Sequence, residues 1–522
     1  MKNLPIGIQT FRNIVEGNYY YVDKTKFIAN IIELGKTYFF LSRPRRFGKS
    51  LFLSTLKSAF NVEKELFKGL YLENNWDWNK KYPILYISFG SGVTGGKDQL
   101  KIKLQELING WLKEYNIEKL TNRSIDGQFL EIIRTLYKKY NEKVVILIDE
   151  YDKPILDMIN KTDLAVEVRD ELKNFYSVIK DSDEYLKFVF LTGVTKFSKV
   201  SLFSGLNNLE DLTLHQDYSD ICGYTQNDIE TVFKERLFLD TPSKRVDLEK
   251  LKHWYNGYNF SGEGVYNPFD ILLFFSNHNI YKTYWFETAT PTFLIKLLMK
   301  NRYFIPDLEN IKATEELLGS FDIDKIQIET LLFQTGYLTI ESTEEMFGRI
   351  KYNLKYPNFE VKSSLNTYIC DYLVDKHTGR IQSDFFYLMR DDKIEDMEKN
   401  IFSLFAAIPN DNYRKNEIAN YEGYYASVLY SYFAGMGVNF IAEDSTNKGY
   451  IDMTLFYEDR TYILEFKVLN STPKTNTALK QIKTKKYHEK YLSEYNKIYQ
   501  IGIIFNKKKR NIVKFDYELI KS

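Results

Sequence analysis

The sequence predicts an α/β protein with a sheet-containing domain near each end and helical segments between them. Three observations carry this. At 522 residues the chain is too long for one hydrophobic core and calls for about three domains. In the N-terminal third, apolar runs at residues 37–41, 84–89, 144–148 and 188–192 alternate with amphipathic helical patterns, which predicts a parallel sheet covered on both faces. Near the C-terminus, residues 450–456 and 461–468 alternate polar and apolar around Glu458-Asp459, which predicts a β-hairpin with a helix on either side.

Composition narrows the function classes. Seventy-one basic against seventy acidic residues leave a net charge of +1, so a generally basic nucleic-acid binder is not indicated and any such contact must be local. The two cysteines, Cys222 and Cys370, are far apart and form no CxxC pair, which argues against a zinc site and fits a reducing compartment. The N-terminus has no apolar leader, and no run approaches the roughly 18 apolar residues of a membrane span. A cytoplasmic location without membrane contact is expected.

Between the strand at 37–41 and the helix at 51–60 lies Ser42-Arg43-Pro44-Arg45-Arg46-Phe47-Gly48-Lys49-Ser50, placed as a phosphate-binding loop would be. Gly48 gives close backbone approach, Lys49 can reach the β and γ oxygens, and Ser50 offers a hydroxyl to Mg²⁺. The general pattern has a second glycine where this chain has Arg43. The strand at 84–89 follows, then helical patterns over 99–115 and 129–140. The next strand, 144–148, ends in Asp149-Glu150, which suits an aspartate holding Mg²⁺ through water and a glutamate polarising the attacking water. Thr195, after the strand at 188–192, reads either as a γ-phosphate sensor or as a loop cap. Arg45 and Arg46 read either as phosphate or neighbouring-subunit contacts or as partners of carboxylates such as Asp152.

Residues 1–218 are therefore expected to form a nucleotide-binding core, 219–300 a helical lid, 301–395 a helical connector and 396–522 the second sheet domain. Thr225 with Asp228 three residues on predicts a capped helix in the lid. Asn256, Tyr258 and Asn267 lie in an aromatic loop that either touches nucleotide or packs against that face.

The hairpin can be registered by hand. Closure at Glu458-Asp459 makes cross-strand partners sum to 917, which sets Asp452 opposite Glu465 and puts Lys467 on their face. Ile451, Met453, Leu455, Leu464, Phe466 and Val468 take the other face. Two carboxylates a few ångströms apart suit Mg²⁺, and a lysine beside them suits a phosphodiester undergoing hydrolysis. A solvated face with a lysine–carboxylate pair is the alternative. A helix over 416–433 carries Glu422, and a later one carries Gln481 followed by Lys483, Lys485, Lys486 and Lys490.

This succession of Glu422, Asp452, Glu465-x-Lys467 and Gln481 resembles the PD-(D/E)XK nuclease superfamily, in the branch fused to AAA-ATPase-like domains in bacterial proteins. No proline precedes Asp452, but Gly449 stands three residues ahead, as is usual in that branch. The resemblance implies that Asp452 and Glu465 are metal ligands, Lys467 the catalytic lysine, and Glu422 the helix acid, with Gln481 and Tyr487 supporting them. Tyr21-Val-Asp23-Lys-Thr25, Ser42–Ser50, Ile148-Asp-Glu-Tyr-Asp152, Leu191–Ser198, 254–260 and 265–269 resemble the AAA-ATPase-like family, where Arg43 is the normal form. The implied fold is a P-loop NTPase with a helical lid and a restriction-endonuclease-like C-terminal domain. The implied activity is an ATP-gated, Mg²⁺- or Mn²⁺-dependent nuclease acting on nucleic acid, DNA by analogy, through the basic face after Gln481. A nucleotide-switched binder that does not cut, and an NTPase assembly unit, remain as alternatives. An arginine acting in trans would imply a homo-oligomer.

Overall fold

The computed structural model describes all residues except 91–94, 197–207, 239–244, 287–291, 320–321, 324, 375–377, 410–421 and 522. The chain forms two compact units, one of Met1–Trp285 with Ile311–Asn358, the other of Phe286–Asn310 with Phe359–Ser522.

The first unit is built on five parallel strands: β1 (Tyr38–Ser42), β2 (Ile84–Ser88), β3 (Val144–Asp149), β4 (Leu186–Gly193) and β5 (Glu210–Asp211), in the order β2-β3-β4-β1-β5. β1, β3 and β4 are apolar runs because helices cover both faces, and their residues are buried almost throughout. The helix after β1 is α1 (Lys49–Phe60). α2 (Lys97–Glu114), α3 (Ile125–Tyr140) and α4 (Thr162–Lys180) cover the sheet. α3 shows why such segments fold: Ser124 accepts from the Gly127 N–H at its start, and Phe129, Ile132, Ile133 and Leu136 form one buried stripe.

The lid contains α5 (Gln226–Thr231), α6 (Leu248–Tyr255) and α7 (Pro268–Ser276). The Thr225–Asp228 capping box is present in both directions. Tyr20 and Val22, from the N-terminal segment, share one apolar cluster with Phe233, Tyr255 and Phe274 of the lid.

Residues 311–358 correct the expectation of a helical connector. They form β6 (Ile311–Thr314), α8 (Glu315–Gly319), α9 (Ile328–Thr335), β7 (Thr339–Met346) and β8 (Arg349–Lys355), with an antiparallel sheet ordered β6-β8-β7. Residues 341–346 of β7 are all exposed, so no alternation of buried and polar positions marks this strand in the sequence.

The second unit opens its main body with α10 (Phe359–Val374), α11 (Gly379–Arg390), α12 (Ile394–Ala406) and α13 (Glu422–Met436). Residues 416–421, expected within the last of these helices, lie outside the described residues. The strands are β9 (Asn439–Thr446), β10 (Gly449–Tyr457), β11 (Arg460–Leu469), β12 (Lys497–Asn506) and β13 (Asn511–Lys521), with α14 (Thr477–Lys485) between β11 and β12. Their order is β13-β12-β11-β10-β9, and only β11–β12 is parallel, since α14 provides the crossover. Among the described residues no helix is long and apolar enough to cross a membrane.

Candidate active sites

The loop after β1 is shaped by two residues in the left-handed region, Arg46 at φ 69° and Gly48 at φ 94°, and by Phe47, buried edge-on against Tyr258 and Phe260. Such alternation turns successive N–H groups toward one concavity, and α1 starts from Gly48 with its unpaired N–H groups and dipole facing the same way. The Lys49 ammonium lies in this loop, donating to the carbonyls of Arg43 at 2.8 Å and Pro44 at 2.9 Å. Burial lowers its pKa, and Asp149 is the largest charge opposing that shift.

Arg43 is a correction to the expected nucleotide-binding set. Its guanidinium is fully buried, donates to the carbonyls of Ser42, Thr213, Tyr218 and Ser219, and stacks 3.9 Å from the Phe260 ring. It holds the loop rather than a ligand. Arg45 and Arg46 are exposed, and Arg46 lies 4.8 Å over the ring of Phe269. Asp152 is not their partner, because it is buried and accepts from Val194 N–H, Thr195 N–H and Thr195 Oγ1.

Those bonds are the ones that the loop-capping reading of Thr195 expects. The hydroxyl that instead meets the acidic strand end belongs to Thr192, donating 2.9 Å to Asp149 Oδ1. Tyr86 OH approaches the other oxygen, Oδ2, at 3.4 Å. Glu150 has φ 53°, an unfavourable backbone for a glutamate, and its carboxyl pKa is raised by burial and then by Asp149. Asn256, Tyr258 and Asn267 take the packing reading: Asn256 accepts from Gly257 N–H, Tyr258 packs on Phe47, and Asn267 caps α7 while reaching the Arg45 carbonyl.

A pocket beside Gly48 and Leu51 escaped the sequence reading. Tyr21, Lys24, Cys222 and Tyr224 contribute to its largely apolar wall. Lys24 bridges to Asp228 at 3.1 Å and Asp220 at 3.6 Å, tying the N-terminal segment to the lid. The only sequence signal was Tyr21–Thr25, whose Asp23 accepts from Thr25 N–H and from Tyr71 N–H.

In the second unit the hairpin has the register worked out by hand, Met453 opposite Leu464 through Tyr457 opposite Arg460. Asp452 and Glu465 come together, Asp452 Oδ2 accepting from Phe466 N–H at 2.6 Å. Glu465 is 1% exposed, and its Oε2 has no hydrogen-bond partner. Gln481 of α14 donates to Oε1, and Lys467 Nζ stands 3.6 Å from the same oxygen with 34% of its side chain exposed. Burial, then the charge of Asp452, pushes the Glu465 pKa up to about 8. A buried carboxyl of this kind is not a solvated ion pair; with Asp452 it offers two acidic oxygen donors, and among the described residues no cluster of three or more His, Cys, Asp or Glu side chains forms around them.

Gly449, at φ 133°, leaves Tyr487 OH free to donate 2.9 Å to the Tyr450 carbonyl. Glu422 begins α13, and its side chain lies outside the described residues. The basic face after Gln481 is largely compensated: Lys483 pairs with Glu518, Lys486 with Glu489 and Lys490 with Asp444.

Comparisons with known proteins follow this division. The family described as Predicted AAA-ATPase matches residues 5–203, and the PD-(D/E)XK nuclease superfamily family matches residues 420–515. Over 520 residues, 99% of each chain, the sequence is 46% identical to "Uncharacterized protein in vnfD 5'region" of Azotobacter chroococcum mcd 1. Among solved structures, Cdc6p from Pyrobaculum aerophilum aligns over 66% of this chain and 92% of its own at 11% identity and TM-score 0.27. The Aeropyrum pernix ORC1 protein, solved in complex with DNA, aligns over 68% and 96% at 9% identity and TM-score 0.27.

Proposed function

The chain belongs to the family that joins a predicted AAA-ATPase domain to a PD-(D/E)XK nuclease-superfamily domain, and on that premise we propose an ATP-hydrolysing protein whose nucleotide state gates a metal-dependent nuclease. The observation that carries the nuclease reading is the buried Glu465 carboxyl beside Asp452, whose Oε1 faces Lys467 at 3.6 Å and Gln481 while its Oε2 has no hydrogen-bond partner. Asp452 and Glu465 would hold Mg²⁺ or Mn²⁺, with Glu422 as the helix acid. Such a cation, when bound, activates water and neutralises charge on the phosphodiester. Lys467 stabilises the added negative charge, and Gln481 fixes the rotamer of Glu465.

In the first unit Lys49, now on the Arg43 and Pro44 carbonyls, would reach the phosphates, and Ser50 and Asp149 would hold Mg²⁺. Glu150 takes the proton of the attacking water, and Thr192 orients Asp149. The pocket lined by Tyr21 and Tyr224 would take the nucleotide's base. Arg45, exposed on the loop, is the candidate arginine finger, and its use in trans would require a homo-oligomer. Nucleic acid, DNA by analogy with the superfamily, approaches Lys467 and the exposed Lys485.

Two variants test the parts separately. Lys49→Ala should lose nucleotide binding. Asp452→Asn should lose metal-dependent cleavage and keep ATP hydrolysis, and cleavage that survives it would withdraw the hairpin as the site.

A further inference from the structure

Residues 311–358 touch three loops around the nucleotide site. Pro44 of the phosphate loop packs on Gly336, where an added Cβ would lie 2.8 Å from Pro44 Cβ and 2.9 Å from its Cγ. Gln334 accepts from Lys196 N–H at 3.0 Å, next to Thr195 after β4, and donates 2.9 Å to the Leu318 carbonyl. Thr339, the first residue of β7, accepts 2.7 Å from the N–H of Asn259 in the aromatic loop that supports Phe47. In the same loop a Cβ at Gly257 would lie 2.0 Å from the Pro357 carbonyl oxygen.

The order of elements, strand, two helices and a hairpin, is that of a winged helix-turn-helix. Its second helix is unsuited to reading DNA. α9 contains one acid and no base, and almost all of its residues are buried. That helix meets instead the loop after β4 through Gln334, and the phosphate loop meets Gly336 at its C-terminal end. We propose that residues 311–358 read the nucleotide state of the phosphate loop and pass it along the chain that enters the second unit at Phe359. The proposal rests on the nucleotide-binding reading above.

The physical chain is short. Lys49 donates to the Arg43 and Pro44 carbonyls, so a phosphate bound by the same ammonium would compete with them. Any weakening of those bonds would shift Pro44, and the close approach at Gly336 leaves little slack to absorb the shift. Gln334 makes α9 respond also to the loop at Thr195, and Thr339 carries the aromatic loop into the hairpin.

Hydrogen exchange of the full-length protein, with and without a non-hydrolysable ATP analogue, tests this while a fluorescent nucleotide reports binding independently. Wild type should bind and slow exchange in peptides covering α9 and β7 by about fivefold or more. Gln334→Ala and the near-isosteric Thr339→Val should still bind, and each should lose most of that protection. Binding by wild type without any change in these peptides would overturn the proposal alone, as would full protection in both variants. Failure of wild type to bind nucleotide would withdraw the underlying reading as well as this one.

Discussion

Glu465 concentrates the chemistry of the second unit in one side chain. Its pKa is pushed from 4.5 to about 8 because the carboxyl is buried and faces Asp452, with Lys467 only partly offsetting both. Between those values the folded protein holds a proton that the unfolded chain releases, so without metal Glu465 makes stability fall as pH rises through the window. A cation must displace that proton. The rise in Tm on adding Mg²⁺ should therefore grow with pH toward about 8 and level off above it. A shift independent of pH in thermal melts, or one equal in Glu465→Gln, would argue against metal at this carboxylate. Arg43 makes the opposite kind of prediction. Arg43→Ala would remove a donor from four buried carbonyls, of which that of Tyr218 keeps the Ile221 N–H, and should destabilise the first unit by about 1–3 kcal/mol in denaturant unfolding. The role of Arg43 was not legible in the sequence, because its partners Thr213, Tyr218, Ser219 and Phe260 come from distant segments. Thr192 was missed for a related reason. Only the parallel alignment of β3 with β4 shows that it, rather than Thr195, reaches Asp149.

At the scale of elements, the hairpin could be registered from sequence because a two-residue turn and strict alternation leave one solution. How α14 meets it could not, since that depends on a close approach. Asn476 caps α14 and donates 2.7 Å to the Gly502 carbonyl, and a Cβ at Gly502 would lie 2.3 Å from Leu479 N. Gly502 is paired with Glu465 across β11 and β12, so this contact sets where Gln481 stands. Gly502→Ala should push α14 off the sheet, cost about 1–3 kcal/mol, and lower cleavage far more than ATP hydrolysis. Equal loss of both activities would show a general folding defect instead. The β6–β8 sheet was hidden because its hairpin is largely solvent-facing, down to a fully exposed Phe347 at the turn.

For the whole molecule, two sites fall in two separately packed units, and the segment 311–358 belongs with the first while its chain leads into the second. Both sites use the same physical device. An ionisable group is held buried at each, Lys49 against the Arg43 and Pro44 carbonyls and Glu465 beside Asp452, where burial works against its charged form. Coupling them would let ATP decide when a nuclease of low specificity acts. The central claim is tested most directly by incubating plasmid and linear DNA with Mg²⁺ or Mn²⁺, with and without ATP, using wild type beside Lys467→Ala. The account predicts metal-dependent cleavage by wild type, its loss in the variant, and a rate that changes on adding ATP. Cleavage by Lys467→Ala at the wild-type rate would contradict it.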